Sequence, residues 1–182
     1  MKHQIRIGVF ETNSSSSHSL QLCTSINDAR NFVADSIRRS YGGDRYDNTG
    51  FDENDYIYDG KVHLRGLELE DGDEMGNIYY IVNNWMAKIQ LIMMKAYDAY
   101  NQKPIPEEFK KYIINQAHAH GYDNVNNIEI EMDHHCWTDD GEWEMTSPTF
   151  MNEVRKAMID ENCMVFSDEA YSPYESPKTY II

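Results

Sequence analysis

The spacing of hydrophobic residues along the chain predicts a mixture of strands and helices. Residues 4–10 and 19–24 are both β-favouring, and the polar, serine-rich stretch between them predicts a hairpin. Residues 55–64 predict a second hairpin, because Asp59 and Gly60 adopt the positive φ angles of a type I′ turn at little steric cost. Two further strands are predicted, a half-buried one at residues 127–132 and a short apolar one at 163–166.

Two amphipathic helices are predicted in the first hundred residues. The first covers residues 26–39, with apolar side chains at helical spacing, and Thr24 or Ser25 can cap it. The second covers residues 78–97 and has the longest apolar face of the chain, with Asn77 as its cap. This second helix is the strongest helical pattern in the sequence.

Two more helices are predicted in the second half of the chain, each opening near a proline. Pro106 occupies the first turn of the third helix, and Gly121 ends it. Ser147 and Pro148 open the fourth helix. Polar or acidic loops are predicted at residues 41–53, 66–76 and 137–146, and an extended tail at 171–182.

These elements predict a single α+β domain over residues 1–182. We expect about four helices and short, mostly antiparallel strands, with a hairpin at the N-terminus, a hairpin near residues 55–65 and an extended C-terminal tail. No internal repeat or low-complexity linker divides the chain.

The main feature of the composition is its excess of acidic residues. The 182 residues carry 31 acidic and 16 basic side chains, for a formal net charge of -15, and 41% of residues are hydrophobic. This balance predicts a folded protein with an acidic surface and argues against direct nucleic-acid binding, which needs a basic face. The three cysteines form no Cys-x-x-Cys pair, and no apolar stretch is long enough for a membrane span. We therefore expect a soluble cytoplasmic protein with no membrane association.

Acidic residues are concentrated in two blocks. Between Tyr41 and Tyr80 there are eleven acidic and three basic residues, and between Asp123 and Thr146 there are eight acidic residues and no lysine or arginine. Such blocks are solvated surface, or they form a docking surface for a basic partner. Calcium binding is a third option, but the twelve-residue ligand spacing is incomplete. The predicted partner-binding acids are Glu68, Glu70, Asp71, Asp73, Glu74, Asp139, Asp140 and Glu142.

Tyrosines are interleaved with the first acidic block. Tyrosine is enriched at protein interfaces, where it offers contact area and a hydrogen bond. We therefore add Tyr56 and Tyr58 to the predicted partner-binding residues, with the alternative that about half of such rings fill the core. This combination of acids and aromatics indicates an interaction protein.

Two polar clusters raise the question of catalysis or metal binding. His118, His120, His134, His135 and Cys136 are zinc-ligand types, but neighbouring members diverge on a helix or strand, so no metal site and no cofactor are predicted. The loop of Asn13, Ser14, Ser15, Ser16, Ser17 and His18 lacks the strand–turn–helix context of a nucleophilic serine. It forms a turn, or it binds an anion or partner. No catalytic residue is predicted.

The opening of the chain resembles that of a known group. Residues Arg6–Leu20 read RIGVFETNSSSSHSL, similar to small proteins of phages and mobile elements of Firmicutes that begin with a basic strand followed by Glu-Thr-Asn-Ser-Ser-Ser and His-Ser. With its length and acidity, the chain resembles an anti-CRISPR protein of the type II-A group, inhibitors of the RNA-guided CRISPR nuclease. The resemblance covers some fifteen of 182 residues.

The resemblance implies a non-enzymatic function in the host bacterial cytoplasm. Its partner would be a type II CRISPR effector nuclease with its guide RNA, which the chain would block at DNA loading, by DNA mimicry, or at cleavage activation. The resemblance transfers no site residues, so the acidic positions rest on charge alone. Two alternatives stay open, namely a metal-dependent or nucleotide-modifying phage enzyme that uses the histidine and cysteine cluster, and a phage structural or regulatory oligomerisation module.

Overall fold

The computed structural model describes most of the chain as two compact units. The first unit contains residues 1–47, 70–82 and 161–182, and the second contains residues 48–69 and 83–160. The described residues are 6–7, 17–39, 43–47, 51–67, 77–97, 104–132 and 145–169.

Eight strands and four helices lie within these ranges. The strands are β1 (Arg6–Ile7), β2 (Ser17–Cys23), β3 (Gly43–Asp47), β4 (Ile57–Tyr58), β5 (Lys61–Leu64), β6 (Asn77–Val82), β7 (Asn127–Ile130) and β8 (Cys163–Glu169). The helices are α1 (Ile26–Arg39), α2 (Trp85–Ala96), α3 (Glu107–Ala119) and α4 (Phe150–Ala157).

The first unit is a five-stranded sheet with the order β1-β2-β8-β6-β3. The N-terminal strands β1 and β2 pair antiparallel, with Arg6 opposite Gln21, as expected for the predicted hairpin. Strand β8 lies between β2 and β6 and is antiparallel to both, whereas β3 is parallel to β6.

Helix α1 covers one face of this sheet. Its buried residues Ala29 and Val33 join a core cluster with strand residues that include Ile81 and Val165. At its start, the Ser25 hydroxyl accepts a hydrogen bond from the Asp28 amide at 3.1 Å, and the Thr24 hydroxyl donates to the Asp28 carboxylate at 2.8 Å. The prediction of a capped helix over residues 26–39 is confirmed.

The helix predicted over residues 78–97 is shorter than the sequence pattern indicates. It begins only at Trp85, because Asn77–Val82 forms strand β6. Asn84, not Asn77, caps α2, and its side chain accepts hydrogen bonds from the amides of Met86 and Ala87. The continuous run of β-branched and aromatic residues at 78–82 suits a central strand as well as a helix.

The loop predicted over residues 41–53 contains strand β3. This short polar strand is parallel to β6 and lies at the edge of the sheet in the described part of the chain. The Asp47 carboxylate at its end accepts hydrogen bonds from Arg30 of α1 at 2.7 and 3.0 Å. An edge strand needs no alternating hydrophobic pattern, which is why its sequence resembles a loop.

The second unit combines a three-stranded sheet with helices α2, α3 and α4. Strands β4 and β5 form the predicted hairpin, with φ angles of 51° at Asp59 and 71° at Gly60. Strand β7 is parallel to β5, which gives the order β4-β5-β7. It ends at Ile130, which is 37% exposed, so its apolar face is less buried than predicted for residues 127–132.

Helix α2 is the buried centre of the second unit. Residues 85–94 are all buried, including the polar side chains of Lys88 and Gln90. The Lys88 ammonium donates a hydrogen bond to the carbonyl of Ile159 at 3.0 Å. A buried lysine and glutamine require such partners, because an unpaired polar group in a core is costly.

Helices α3 and α4 lie close to their predicted positions. Helix α3 follows Pro106, and Gly121 comes directly after its final turn with a φ of 92°. Helix α4 has Thr149 as its N-cap residue, just beyond the predicted Ser147 and Pro148. Its Phe150 ring packs edge-on against Phe109 of α3, with 5.1 Å between the ring centroids.

The α+β class with four helices and short, mostly antiparallel strands is confirmed. In the described ranges, every helix is too short or too polar to cross a lipid bilayer. Most of the predicted loop at residues 66–76, most of the acidic segment 137–146 and the predicted tail at 171–182 lie outside the described residues.

Candidate functional site

The three-stranded sheet presents a polar face that combines an exposed aromatic ring with carboxylates. We call this surface the outer face, and it comprises Tyr58, Lys61, His63, Glu129 and Glu131. The opposite face carries the buried side chains of Ile57, Val62 and Leu64.

Strand alternation and register bring the residues of the outer face together. Lys61 and His63 are two residues apart on β5, so their side chains point to the same side. The register places Tyr58 opposite Lys61 and His63 opposite Glu129. Glu131 follows β7 directly and extends the same side, and its amide donates a hydrogen bond to the Leu64 carbonyl at 2.8 Å.

His63 is the fixed centre of the outer face. It is only 4% exposed, and the Tyr58 ring stacks on its imidazole with 3.6 Å between ring centroids. Its Nδ1 forms a hydrogen bond with the Glu131 carboxylate at 2.7 Å, while its Nε2 is buried without a hydrogen-bond partner among the described residues. Gln90 of α2 holds the backbone at this point by donating to the His63 carbonyl at 2.9 Å.

Lys61 and Glu129 form an ion pair at the edge of the outer face. The Lys61 ammonium lies 2.6 Å from the Glu129 carboxylate, and both side chains are substantially exposed. The hydrogen bond and the charge of Glu129 raise the pKa of Lys61, and those of Lys61 lower the pKa of Glu129. The pair is therefore fully charged at neutral pH.

Replacing Lys61 with methionine is expected to raise the pKa of Glu129 towards 4.5, the ordinary value for a glutamate. Because the folded pKa of Glu129 is lowered, the pair contributes to stability above the unfolded pKa, and this contribution is lost as the pH falls through the folded pKa. NMR titration of the Glu129 carboxyl carbon measures the shift. Lys111→Met, on exposed α3 surface, is the control, and an unchanged Glu129 pKa in Lys61→Met would contradict the pairing.

A second acidic group surrounds the short 3-10 turn at Glu53–Asp55. The Glu53 carboxylate accepts hydrogen bonds from the side-chain amide of Asn84 at 2.7 Å and from the Tyr122 hydroxyl at 3.2 Å. Burial, together with the charges of Glu53 and Asp52, raises the pKa of Tyr122. The carboxylates of Glu53 and Asp52 thus place negative charge at this turn.

Three exposed aspartates add negative charge to the turns of the second unit. The side chains of Asp55, Asp59 and Asp123 are exposed and form no hydrogen bond or ion pair with a described residue. By contrast, Lys110 pairs with Glu107 at 2.7 Å, and Arg155 pairs with Glu108 on the helical side. Asp55 in the 3-10 turn and Asp59 in the hairpin turn are therefore exposed acids without an ion-pair partner among the described residues.

His63, Glu129 and Glu131 are the described residues that could hold a metal ion. One ligand atom of each lies within 4.8 Å of the other two. However, the described contacts already engage all three, because Glu131 accepts from His63 and Glu129 pairs with Lys61. Cation binding would therefore compete with the His63–Glu131 hydrogen bond and the Lys61–Glu129 ion pair.

Of the two predicted tyrosines, Tyr58 lies on the outer face and is 41% exposed. Tyr56 is 7% exposed, stacks on Phe51 with a centroid separation of 4.9 Å, and lies beneath the Arg65 guanidinium. Tyr79 and Tyr80 of the same acidic block are buried in the first unit. The predicted acids Glu68, Glu70, Asp71, Asp73, Glu74, Asp139, Asp140 and Glu142 lie outside the described residues.

The serine-rich loop is described only at its end. Ser17 and His18 belong to β2, where they are register partners of Glu169 and Asp168. Asn13, Ser14, Ser15 and Ser16 lie outside the described residues.

Two members of the histidine and cysteine cluster are described, and both bond to backbone carbonyls. His118 Nε2 lies 2.7 Å from the Val125 carbonyl oxygen. His120 Nδ1 lies 2.8 Å from the Gln116 carbonyl oxygen, and its ring stacks on Trp85. These hydrogen bonds hold both imidazole rings against the backbone near the C-terminal end of α3. His134, His135 and Cys136 lie outside the described residues.

Sequence reasoning did not select His63, Glu129 or Glu131 as site residues. The alternation within β5 and within β7 does show which residues share a side of each strand. The missing information was the parallel pairing of β5 with β7, since the two strands are far apart in the sequence.

Comparison with known proteins gave no relative of this chain. No family model, curated protein sequence or solved structure matches it.

Proposed function

We propose that this protein is a non-enzymatic, acidic binding protein that inhibits a type II RNA-guided DNA nuclease by docking on the nuclease–guide RNA complex. The observation that carries the proposal is the outer face, where an exposed tyrosine is held against a buried histidine between carboxylates. The net charge of -15 and the resemblance of residues 6–20 support the same proposal.

The outer face has the features of a preorganised docking surface. Tyr58 loses little conformational freedom on binding, because its ring is already stacked on His63. Its exposed side offers contact area and a hydroxyl group, the combination that makes tyrosine frequent among residues with large binding contributions. Carboxylates around such an anchor accelerate association with a basic surface through long-range attraction.

The nuclease is a suitable partner in physical terms. It holds the guide–target heteroduplex in a positively charged channel and reads the short adjacent DNA motif with arginines. An acidic protein could occupy these basic surfaces in place of DNA and block loading. Alternatively, it could leave DNA binding intact and obstruct the nuclease-domain movement that permits cleavage.

The test is cleavage of target DNA by guide-loaded type II nucleases with and without the purified protein. Inhibition and co-elution on gel filtration are expected for at least one orthologue, and both should weaken as salt is raised. DNA binding measured in the same mixtures separates a block of loading from a block of cleavage. Undiminished cleavage and no co-elution across a panel of orthologues would overturn the proposal.

Variants of the outer face locate the interface. Tyr58→Ala is expected to weaken inhibition about tenfold or more, a typical loss for an anchor residue. Asp55→Lys with Asp59→Lys should weaken it further by reversing charge next to the anchor. The matched control is Glu107→Gln with Glu108→Gln, which removes two exposed carboxylates from α3. Equal inhibition by all of these variants would place the interface elsewhere, and charge reversal at Glu68, Glu70, Asp71, Asp73 and Glu74 tests the first acidic block.

A further inference from the structure

Two cysteines face each other on neighbouring strands of the first unit. Cys23 is the last residue of β2, Cys163 is the first residue of β8, and the antiparallel register pairs them directly. Both carry reduced thiols in this structure. Directly opposed residues of antiparallel strands have Cα atoms about 4.5–5.5 Å apart, and a disulfide bridges Cα atoms about 4.4–6.8 Å apart. The backbone therefore already has the spacing that a disulfide requires.

The two side chains also share one environment. Both belong to the buried cluster under α1, where Cys23 is 8% exposed and Cys163 is 1% exposed. Burial, with further contributions from Cys163 and Asp28, raises the pKa of Cys23 to about 12. A thiol with such a pKa is protonated at neutral pH and reacts slowly, which keeps the pair reduced under ordinary conditions.

We propose that Cys23 and Cys163 are a site of reversible oxidation, at which a peroxide converts the two thiols into an intramolecular disulfide that links β2 to β8. This modification is independent of the proposed inhibitory function. It concerns the first unit only and requires no partner.

The chemistry takes place in two balanced steps. The Cys23 thiol, on the more exposed of the two residues, first loses its proton to solvent, and the resulting thiolate attacks one oxygen of hydrogen peroxide. The O–O bond breaks and gives a sulfenic acid and hydroxide, which takes up the released proton to form the first water. The Cys163 thiol then attacks the sulfenic sulfur, the S–S bond forms, and the sulfenic oxygen leaves as water. Overall, two thiols and one peroxide give one disulfide and two waters, so the two sulfurs together lose two electrons to the peroxide.

The bond would close a very long loop. Cys23 and Cys163 are about 140 residues apart, and closing a loop of this length restricts the unfolded chain strongly. It would also fix the central strand β8 to its neighbour β2 at the end of their ladder. The oxidised protein should therefore unfold at a higher temperature than the reduced protein.

The experiment uses the full chain with Cys136→Ser, which leaves Cys23 and Cys163 as its only cysteines. After limited treatment with hydrogen peroxide and quenching with catalase, the denatured protein is alkylated, digested and analysed by mass spectrometry. The expected product is a peptide pair that joins residues 23 and 163, with loss of both alkylatable thiols and recovery on addition of dithiothreitol. Thermal unfolding should shift upwards by about 5 °C or more, and dithiothreitol should reverse this shift.

Cys23→Ser with Cys136→Ser is the matched control, because it undergoes the same peroxide treatment but can form no intramolecular disulfide. Its unfolding temperature should not rise. The proposal is overturned if peroxide gives sulfinic acid or an intermolecular disulfide in place of the 23–163 link. It is also overturned if both thiols remain alkylatable after peroxide treatment. If a serine variant fails to fold, peptide mapping of the peroxide-treated wild-type chain distinguishes the same outcomes.

Discussion

Replacing Gln90 with leucine is expected to lower the free energy of unfolding by about 3 kcal/mol or more. Gln90 is fully buried on α2, and its Oε1 accepts hydrogen bonds from the amides of Arg65 and Gly66 at 3.1 and 3.0 Å. Its Nε2 donates to the carbonyl of His63 at 2.9 Å. Leucine is of similar size but leaves these three backbone groups without this partner. The two buried ones, the Gly66 amide and the His63 carbonyl, each cost about 1–3 kcal/mol when unpaired.

Chemical denaturation followed by tryptophan fluorescence measures the Gln90→Leu effect. Gln116→Leu is the control, since the half-buried Gln116 side chain forms no hydrogen bond with a described residue. It should change stability by less than about 1 kcal/mol. Amide exchange at Arg65 and Gly66 should also accelerate selectively in Gln90→Leu. Wild-type stability together with unchanged exchange would show that α2 does not support β5 through this side chain.

Replacing Phe109 with alanine is expected to cost about 3–5 kcal/mol. Phe109 is completely buried on α3, and its ring packs edge-on against Phe150 of α4, itself 1% exposed. Alanine removes most of this contact and leaves a cavity between the two helices, so both the transfer free energy and the packing energy are lost.

The stability of Phe109→Ala is measured by the same denaturation experiment. Phe109→Leu, which fills part of the site, should lose clearly less, and Asn115→Ala on the exposed side of α3 should stay within about 0.5 kcal/mol of the wild type. A loss for Phe109→Ala no larger than that for Asn115→Ala would contradict the packing of α3 against α4.

The sequence was sufficient to predict an element whose structure depends only on its own residues. Helix α1 has the predicted bounds, because the Ser25 hydroxyl caps it by accepting from the Asp28 amide and its apolar positions follow the helical period. The hairpin of β4 and β5 is likewise determined by two neighbouring residues, Asp59 and Gly60, which adopt the positive φ angles that its turn requires.

The sequence was insufficient where tertiary pairing decides the structure. Residues 78–82 are apolar throughout, a pattern shared by buried helices and buried strands, and only pairing with β8 and β3 makes them a strand. Strand β3 is polar and depends on β6 for its conformation. For the same reason the outer face could not be assembled in advance, since His63 and Glu129 meet only through the parallel pairing of β5 and β7.

The central position of β8 has a consequence for the order of events during synthesis. Strands β2 and β6 leave the ribosome well before β8, yet neither contacts the other directly in the sheet, and each is completed by β8. The nascent chain must therefore carry these two strands unpaired on one edge while the whole of residues 83–160 is translated. The five-stranded sheet can therefore close only after Glu169, the last residue of β8, has emerged from the exit tunnel.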